Sequence, residues 1–501
     1  MNGLGTSVGL GHPMTQRVLC GLLPRPSLTN PLPLLRIRPK CGMLLGFRAV
    51  IACPDSWKVK LHGNRRGNTT KVACSRPFHA RVPAQSSPAG PQTDNFAHPI
   101  STSEACYYLV LPFPVTSSRA STRPNWAEVS LSALRHNYRA LQQHVGRDVT
   151  LCAVVKCDAY GHGSEGCALA LEQEGARWFG VTSTDEGVAL RDAGVTSRIL
   201  IMVGVWRGEE EDALRYDLTP TVHRIEDVEA IAGAAGRIGR RTPVSVHLKL
   251  DTGMTRLGLP RAELDDFALR FKAIPQVELG GVFSHLASSE VLDDQDALLQ
   301  KQRFDASLHT LAGHGLHPTA RHLANSGATL GRPDTWYNFI RPGMAIYGYE
   351  LPLVYQGPRL ARPPAPLGLI PVMSWKTRIL SLRNVPAGQP LGYNGTYTTS
   401  SSARVAVIAA GYGDGLYRRL SPGGYVLLRS QRAPMLGRIS MDLTIIDVTH
   451  ISGVEIGDEV VLIGRSGSER ITAVDHARWS GTIPYEILCN LSERVVRHHV
   501  E

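Results

Sequence analysis

Between residues 150 and 350 the chain alternates short apolar, β-branched runs with stretches of helical periodicity. Strands that alternate with helices indicate a parallel sheet with crossover helices. Eight such units in about 200 residues predict a (β/α)8 barrel, whose functional residues gather at the C-terminal ends of the strands. The predicted strands are "TLCAVVK" (150–156), "WFGVTS" (178–183), "RILIMVG" (198–204), "LTPTVHR" (218–224), "VSVHLKL" (244–250), "ELGGVFSHLA" (278–287), "TARHLAN" (319–325) and "NFIRPGMAIYG" (338–348). Predicted helices include 167–176, 226–237, 262–274 and 296–315.

The alternation of strands and helices ends after residue 350. A Pro-rich linker, "LPLVYQGPRLARPPAPLG" (351–368), precedes strand-like runs with little helix between them, such as "VMSWKTRILSLRNV" (372–385) and "DEVVLIG" (458–464). Short strands separated by turn residues are typical of a mostly antiparallel β domain. The predicted organisation is therefore an α/β chain, with the barrel over residues 125–365 and the β domain over residues 366–501.

The first 124 residues differ in composition from the rest. They hold 15 of the 33 prolines, 15 basic residues and only three acidic residues, without sustained periodicity. This composition predicts a disordered basic extension. Three interpretations stay open: a disordered extension, an acid-poor transit peptide, and upstream sequence translated from a wrong start codon. The last is favoured because no clean amphipathic helix precedes "RPNWAEVSLSALRHNYRAL" (123–141), although no Met lies between Met43 and Met202.

Charge and cysteine usage exclude several classes of function for the body of the chain. Residues 125–501 hold 39 basic and 40 acidic residues, so the net charge of +11 comes from the extension and gives no support to nucleic-acid binding. No run reaches the roughly 20 apolar residues of a membrane span. The cysteines lack metal-site spacing such as C-x2-C, and four scattered thiols in the body favour a reduced, cytoplasmic protein without a metal centre.

Candidate chemistry begins with "AVVKCDAYGHG" (153–163) at the end of the first predicted strand. "GHGSEG" (161–166) matches G-x-G-x-x-G, but polar residues separate it from the strand, so a dinucleotide site is only a minor alternative and the glycines are interpreted as turn and packing residues. A lysine at a barrel strand end is partly desolvated, which makes Lys156 a candidate nucleophile toward an aldehyde cofactor. A lone lysine there would more often extend its amine into solvent.

Lys156 does not stand alone, because the chain from about residue 125 to 497 resembles the alanine racemases of fold type III. These enzymes bind pyridoxal 5'-phosphate (PLP) on a (β/α)8 barrel followed by a β domain. Besides the lysine motif, the resemblance rests on "HLKLDTGMTRLG" (247–258), "GVFSHLASSE" (281–290), "HLANSGA" (322–328), "RPGMAIYG" (341–348), "GYGDGLYRRLS" (411–421), "GRISMDLTIIDV" (437–448) and "YEILCNLSERV" (485–495). The order and spacing of these motifs fit the family.

The resemblance implies a set of cofactor-binding residues. Lys156 would form an aldimine with PLP and serve as the base on one face of the substrate α-carbon. Arg341 would lie at the pyridine nitrogen. Because an arginine has only donors, it cannot accept a hydrogen bond from a protonated ring nitrogen, and the ring would stay a weak electron sink. His285 is expected to hydrogen-bond Arg341 and fix its position. The phosphate would be held by Tyr160, Ser326, the backbone amides of Gly343 and Met344, and Tyr485.

Racemisation needs a second base on the opposite face of the carbanion. The resemblance assigns this role to Tyr412, reaching the PLP of a neighbouring subunit in a head-to-tail homodimer, with Met441 and Asp442 lining the substrate carboxylate pocket. Arg256 would bind near that carboxylate. Lys249 matches a lysine that some family members carbamylate. "LGYNGTY" (391–397) resembles a family loop only loosely and receives no site assignment.

The expected function is PLP-dependent interconversion of L- and D-alanine, supplying D-alanine for peptidoglycan. A broad-specificity or serine racemase of the same fold stays open, because specificity depends on the volume around Tyr485 and Met441. A fold-type III decarboxylase is disfavoured by the missing "CES"-type motif, since Cys489 stands in a different context. A PLP carrier would need neither the β domain nor Tyr412.

Overall fold

The computed structural model describes residues 58–62, 71–75, 122–357 and 363–501. The chain divides into two compact units, Met1–Pro114 and Val115–Glu501. In the first unit, strands Lys58–His62 and Lys71–Ser75 form an antiparallel pair that the sequence did not predict. The predicted disorder of residues 1–124 lies mostly outside the described residues and stays a prediction.

The larger unit contains the predicted barrel. Eight parallel strands follow one another around it, and the last pairs with the first: Thr150–Val154, Trp178–Val181, Arg198–Ile201, Thr219–Val222, Val244–Asp251, Val277–Phe283, Ala320–His322 and Phe339–Ile340. The short strand Leu259–Pro260 pairs beside the fifth. The seventh and eighth strands are bridged by Asn338, whose amide oxygen accepts from the Arg321 N–H (2.9 Å) and whose amide nitrogen donates to the Thr319 carbonyl (2.7 Å).

Helices cover the outside of the barrel strands with their apolar faces. The four predicted helices are present, over Ser164–Gln173, Ile225–Arg237, Leu264–Lys272 and Gln295–Gly313. In the longest, Asp294 caps the first turn by accepting the Asp296 N–H, and Phe304 and Leu311 are fully buried. The other helices of the barrel region are Leu131–Val145, Thr184–Asp192, Glu210–Arg215 and Ser326–Gly331, and a left-handed turn spans Lys156–Gly161.

The C-terminal region is a mostly antiparallel β domain, as predicted. Its long central strand, Met373–Val385, pairs with Ala403–Ile408 at one end and with Glu459–Ser466 at the other, so the sheet closes on itself. The remaining strands of the closed part are Tyr425–Leu428, Gln431–Leu436 and Thr444–Asp447. Further elements are strand Glu469–Ile471, helices Ala473–Ser480 and Pro484–Cys489, and the small hairpin of Pro390–Leu391 with Tyr397–Thr398.

Both ends of the body meet in the β domain. Strand Asn125–Ser130 pairs antiparallel with Met373–Val385 and parallel with the last strand, Val496–Val500. The Trp375 indole donates to the Asn125 side chain at 2.7 Å, and both residues are buried. The predicted boundary at residue 125 therefore assigns strand Asn125–Ser130 to the barrel, whereas the hydrogen bonds of this strand lie in the β domain. The remaining predicted boundary, at residues 365 and 366, stays a prediction.

Candidate active site

Lys156 begins a left-handed turn directly after the first barrel strand. Four consecutive residues, Cys157 to Tyr160, have φ between 52° and 54°. Each L-residue in this region costs roughly 1–2 kcal/mol, so the turn persists only because its surroundings hold it. The predicted strand through Lys156 ends at Val154, and the following residues turn back on themselves with Lys156 at their start.

Neighbouring side chains satisfy the backbone groups of this turn. The Cys157 N–H donates to the Glu186 carboxylate at 2.7 Å. The fully buried His162 ring lies 2.9 Å and 3.0 Å, through Nδ1, from the carbonyls of Ala159 and Tyr160. Burial lowers the pKa of His162 to about 4, so the neutral ring donates one N–H shared between these carbonyls.

The glycines after the turn are packing positions, as predicted. A Cβ at Gly161 would collide with the Leu488 carbonyl of the β domain. Cβ atoms at Gly163 and Gly166 would lie 2.8 Å and 2.5 Å from the His499 ring. The G-x-G-x-x-G pattern is therefore explained by contact with the C-terminal segment of the chain.

Ser326 and Gly343 form a small polar cradle beside the turn. Ser326 begins helix Ser326–Gly331, which Asn325 caps by accepting the Ala328 N–H. The Ser326 hydroxyl oxygen accepts from the Gly343 N–H at 2.8 Å and from the Ala345 N–H at 3.3 Å. A Cβ on Gly343 would collide with the Tyr160 hydroxyl, so the missing side chain lets that hydroxyl approach the Gly343 backbone.

Aromatic rings enclose the cradle. The Tyr160 ring centroid lies 6.0 Å from that of Tyr485 and 5.1 Å from that of Tyr347. Burial raises the pKa of Tyr160 and, to about 12, that of Tyr485, so both phenols stay protonated near neutral pH. Protonated phenols and a serine hydroxyl are donors suited to binding an oxyanion such as phosphate. Met344, predicted to donate its amide here, has a fully buried side chain.

Arg341 follows the eighth strand and is buried. Its guanidinium donates to the Ser284 carbonyl at 2.7 Å and lies 2.9 Å from His322 Nδ1. Burial lowers the pKa of Arg341 to about 10, which leaves it charged. Because arginine has only donors, His322 Nδ1 accepts and the proton of this neutral ring is on Nε2. His322 Nε2 in turn donates to His247 Nδ1 at 2.9 Å.

The prediction that His285 hydrogen-bonds Arg341 is wrong in the described structure, where His322 makes that contact. His322 ends the strand next to that of Arg341, whereas His285 follows the sixth strand, one position further around the barrel. His285 still lies within the site. Its pKa is lowered to about 3 by burial and then by the charges of Arg341, Arg256, Lys249 and Lys156.

Lys249 and Arg256 belong to the same positive cluster. Burial, followed by the charges of Arg341, Arg256 and Lys156, lowers the pKa of Lys249 to about 8. The Lys249 amine lies 5.4 Å from the centre of the Phe283 ring and donates weakly to the Met202 carbonyl at 3.5 Å. Across residues 122–357, no salt bridge joins these cations to a carboxylate. Such a cluster is suited to an anionic group, whether a substrate carboxylate or a carbamate on Lys249.

The remaining predicted residues share a separate surface of the β domain. The Tyr412 N–H donates to the Ser440 carbonyl (3.0 Å) and the Gly413 N–H to the Met441 carbonyl (2.8 Å), so their two loops form one unit. Buried Asp414 and partly exposed Asp442 bind Arg494 and Arg123. The side chains of Tyr412 and Met441 are 43% and 52% exposed. Among the described residues, no hydrogen bond or ring contact joins this surface to Lys156.

A second tyrosine lies near this surface. Tyr393, in the unassigned "LGYNGTY" stretch, occupies the tip of the small hairpin and is 65% exposed. The hairpin rests against the loop that leads to Met441, because Cβ atoms on Gly392 and Gly437 would lie 3.3 Å from Arg438 N and 2.8 Å from Leu391 O. Asn394, next to the tyrosine, has φ of 61°. A strained loop that presents an exposed tyrosine is a candidate site feature to which the sequence motifs assign no role.

Comparison with known proteins places these elements in one family. Residues 129–351 match "Alanine racemase, N-terminal domain" and residues 372–499 match "Alanine racemase, C-terminal domain". An alanine racemase of Syntrophobacter fumaroxidans is 39% identical over 367 residues, covering 73% of this chain and 95% of that protein. One of Symbiobacterium thermophilum is 39% identical over 382 residues, covering 75% and 97%.

Solved structures agree with this assignment. Alanine racemase from D-cycloserine-producing Streptomyces lavendulae matches with a TM-score of 0.69 at 34% identity, covering 76% of this chain and 97% of that one. Alanine racemase from Bacillus anthracis, solved with bound L-Ala-P, matches with a TM-score of 0.68 at 34% identity, covering 76% and 95%. Both halves of the body and their order agree with these proteins, and the chain therefore belongs to the alanine racemase family.

Proposed function

We propose that this protein is a PLP-dependent racemase that interconverts L- and D-alanine. The observation that carries the proposal is the buried Arg341, charged and held by His322, in a site that also contains Lys156 and the Ser326–Gly343 cradle. When bound, PLP withdraws electrons from the α-carbon of an amino acid and eases loss of its α-proton. Arg341 would lie at the ring nitrogen and would not protonate it, which would favour prompt return of the α-proton over side reactions.

The residues present fit PLP. The hydroxyls of Ser326 and Tyr160 would donate to the phosphate, and the absent Cβ at Gly343 lets the Tyr160 hydroxyl lie beside the Gly343 amide that donates to Ser326. The Lys156 amine, at the start of the neighbouring turn, would hold the cofactor covalently and transfer the α-proton on one face. Arg256 would orient the substrate carboxylate within the positive cluster that it shares with Lys249. Tyr485 would limit the volume available to the substrate side chain.

The second base is proposed to be a tyrosine of the exposed β-domain surface. Tyr412 is the residue that the sequence predicts, and its loop is fixed to the one carrying Met441 and Asp442. Tyr393 competes for the role, because it is the more exposed of the two and is presented by a strained hairpin. Either tyrosine would act across a head-to-tail homodimer, in which one protomer's β domain covers its partner's barrel opening.

Covalent attachment of PLP is the first test. Borohydride treatment of the holoenzyme, followed by peptide mass spectrometry, should place the cofactor's mass on the peptide that carries Lys156. A chiral assay with L-alanine, L-serine and L-lysine then separates an alanine racemase from a broad-specificity or serine racemase. Label on another lysine, or no inversion of any substrate, would contradict the proposal.

The second base is tested with Tyr412→Phe and Tyr393→Phe. Loss of the α-proton from each alanine enantiomer is followed in deuterated water, which reports the two faces separately. The variant that lacks the base should lose abstraction from one enantiomer far more than from the other. Loss that is equal for both enantiomers in both variants would reject a tyrosine as the second base.

The expected cellular role is supply of D-alanine for peptidoglycan in the cytoplasm. The four cysteines of the described body are free thiols, which is compatible with a reducing compartment. No helix among the described residues is long and apolar enough to cross a membrane. Growth of a racemase-deficient bacterium without added D-alanine, after expression of this chain, would test the role.

A further inference from the structure

The last strand of the chain reaches the turn that carries Lys156. Arg497, on strand Val496–Val500, donates through Nε to the Gly161 carbonyl at 3.0 Å. Its two terminal nitrogens donate to the carbonyls of Ser492 (2.6 Å), Val495 (2.6 Å) and Leu491 (2.8 Å). One side chain therefore connects four backbone carbonyls, one in the barrel and three in the segment after helix Pro484–Cys489.

His499 lies two residues further along the same strand. Its Nε2 lies 3.0 Å from the carbonyl of His162, and its ring fills the space beside Gly163 and Gly166. The segment from Gly161 to Gly166 is thus covered by two side chains of the last strand. The preceding left-handed turn is held from the barrel itself, by Glu186 at the Cys157 N–H and by the His162 ring at the Ala159 and Tyr160 carbonyls.

We propose that Arg497 is a positioning residue for the PLP site: it clamps the end of the left-handed turn and so fixes the orientation of Lys156 and Tyr160. The inference rests on the proposed function. The four successive residues in the left-handed region would relax toward ordinary backbone angles if the Gly161 carbonyl, which follows them, lost its hydrogen bond to Arg497. The clamp at Gly161 removes that freedom, because the carbonyl is held by a residue whose other bonds lie in a different domain.

An arginine is required for this geometry. The guanidinium presents five donors in a rigid plane, which lets it serve four carbonyls at once. A lysine would keep the positive charge, but its single ammonium group cannot contact the same four carbonyls. Arg497→Lys is therefore the informative variant, since it separates charge from the multiple fixed contacts.

The experiment measures PLP binding and local backbone protection together. Apoprotein of the parent, Arg497→Lys and the control Arg383→Lys, an exposed arginine on strand Met373–Val385, is titrated with PLP and followed by absorbance. Hydrogen exchange of the same apoproteins is measured by mass spectrometry on the peptide that spans residues 157–163. For Arg497→Lys we expect at least about tenfold weaker PLP binding and at least about tenfold faster exchange in that peptide, with peptides of the distant barrel strands unchanged.

The outcomes separate the inference from the proposed function. Unchanged PLP affinity and unchanged exchange in Arg497→Lys would overturn the positioning role. If the parent itself fails to bind PLP, the proposed function fails, while the exchange measurement still tests the clamp. If Arg497→Lys does not fold, His499→Ala replaces it. That variant should accelerate exchange in the same peptide and weaken PLP binding, and parent-like values for both would overturn the inference.

Discussion

Mild acid should destabilise the folded apoprotein strongly, because five histidines are buried in the neutral form. Burial lowers the pKa to about 3 for His247 and His285, to about 4 for His162 and His476, and well below the usual range for His322. In the unfolded chain these groups titrate near about 6.5. Below that pH the unfolded state binds more protons, so the free energy of unfolding falls as the pH falls.

The size of the effect follows from the pKa differences. A histidine with an unfolded pKa of about 6.5 and a folded pKa of about 4 or less loses about 1.4 kcal/mol of stabilisation between about pH 7.5 and about pH 5.5. His162, His247, His285 and His476 together remove about 6 kcal/mol, and His322 adds to this loss, which is a large part of the roughly 5–15 kcal/mol by which most domains are stable. The stabilisation is complete above the unfolded pKa and is lost progressively below it.

Urea denaturation of the apoprotein, followed by tryptophan fluorescence at one protein concentration, measures this dependence. The variant His476→Gln removes one buried histidine far from Lys156, and its amide can still donate to the Leu462 carbonyl that His476 Nε2 contacts at 2.9 Å. The loss between the two pH values should then shrink by about 1.4 kcal/mol. The matched variant His498→Gln changes an exposed residue and should leave the loss unchanged. A parent protein whose stability is the same at both pH values would refute the reasoning.

Three further changes test the packing and charge of the site. Gly343→Ala should weaken PLP binding at least about tenfold, because its added Cβ would collide with the Tyr160 hydroxyl in the cradle. The control Gly236→Ala, with open space around it, should leave the PLP affinity unchanged. Equal PLP affinities of the two variants would contradict the role of the cradle in binding. Gly166→Ala should cost about 1–3 kcal/mol in urea denaturation through contact with His499, and adding His499→Ala should recover part of that cost, so strictly additive effects would exclude the contact. Lys249, with its lowered pKa, should form a carbamate with isotopically labelled bicarbonate that is visible by NMR and absent from Lys249→Met, and an unlabelled parent would argue against carbamylation.

The barrel and the β domain were predictable because their strands are short apolar runs with clear spacing. The left-handed turn was not, since four ordinary L-residues with positive φ leave no local pattern and are held by Glu186 and Arg497, far away in sequence. The partner of Arg341 was missed for another reason. Two histidines lie at the ends of barrel strands, and only the order of the strands shows that His322, on the strand adjacent to that of Arg341, is the nearer one. The roles of Tyr412 and Tyr393 stay proposals, because in the proposed homodimer these tyrosines would act on the barrel of a second copy of the chain.

The meeting of both ends of the body in one sheet has a consequence for biosynthesis. Strand Asn125–Ser130 leaves the ribosome long before its neighbours Met373–Val385 and Val496–Val500. It therefore stays unpaired while the barrel between them is synthesised. Contacts of such large sequence separation form slowly and late. Arg497, whose Nε donates to the Gly161 carbonyl at the end of the Lys156 turn, lies 336 residues further along the chain. We therefore expect a nascent chain to complete the turn that carries Lys156 only after strand Val496–Val500 has left the ribosome.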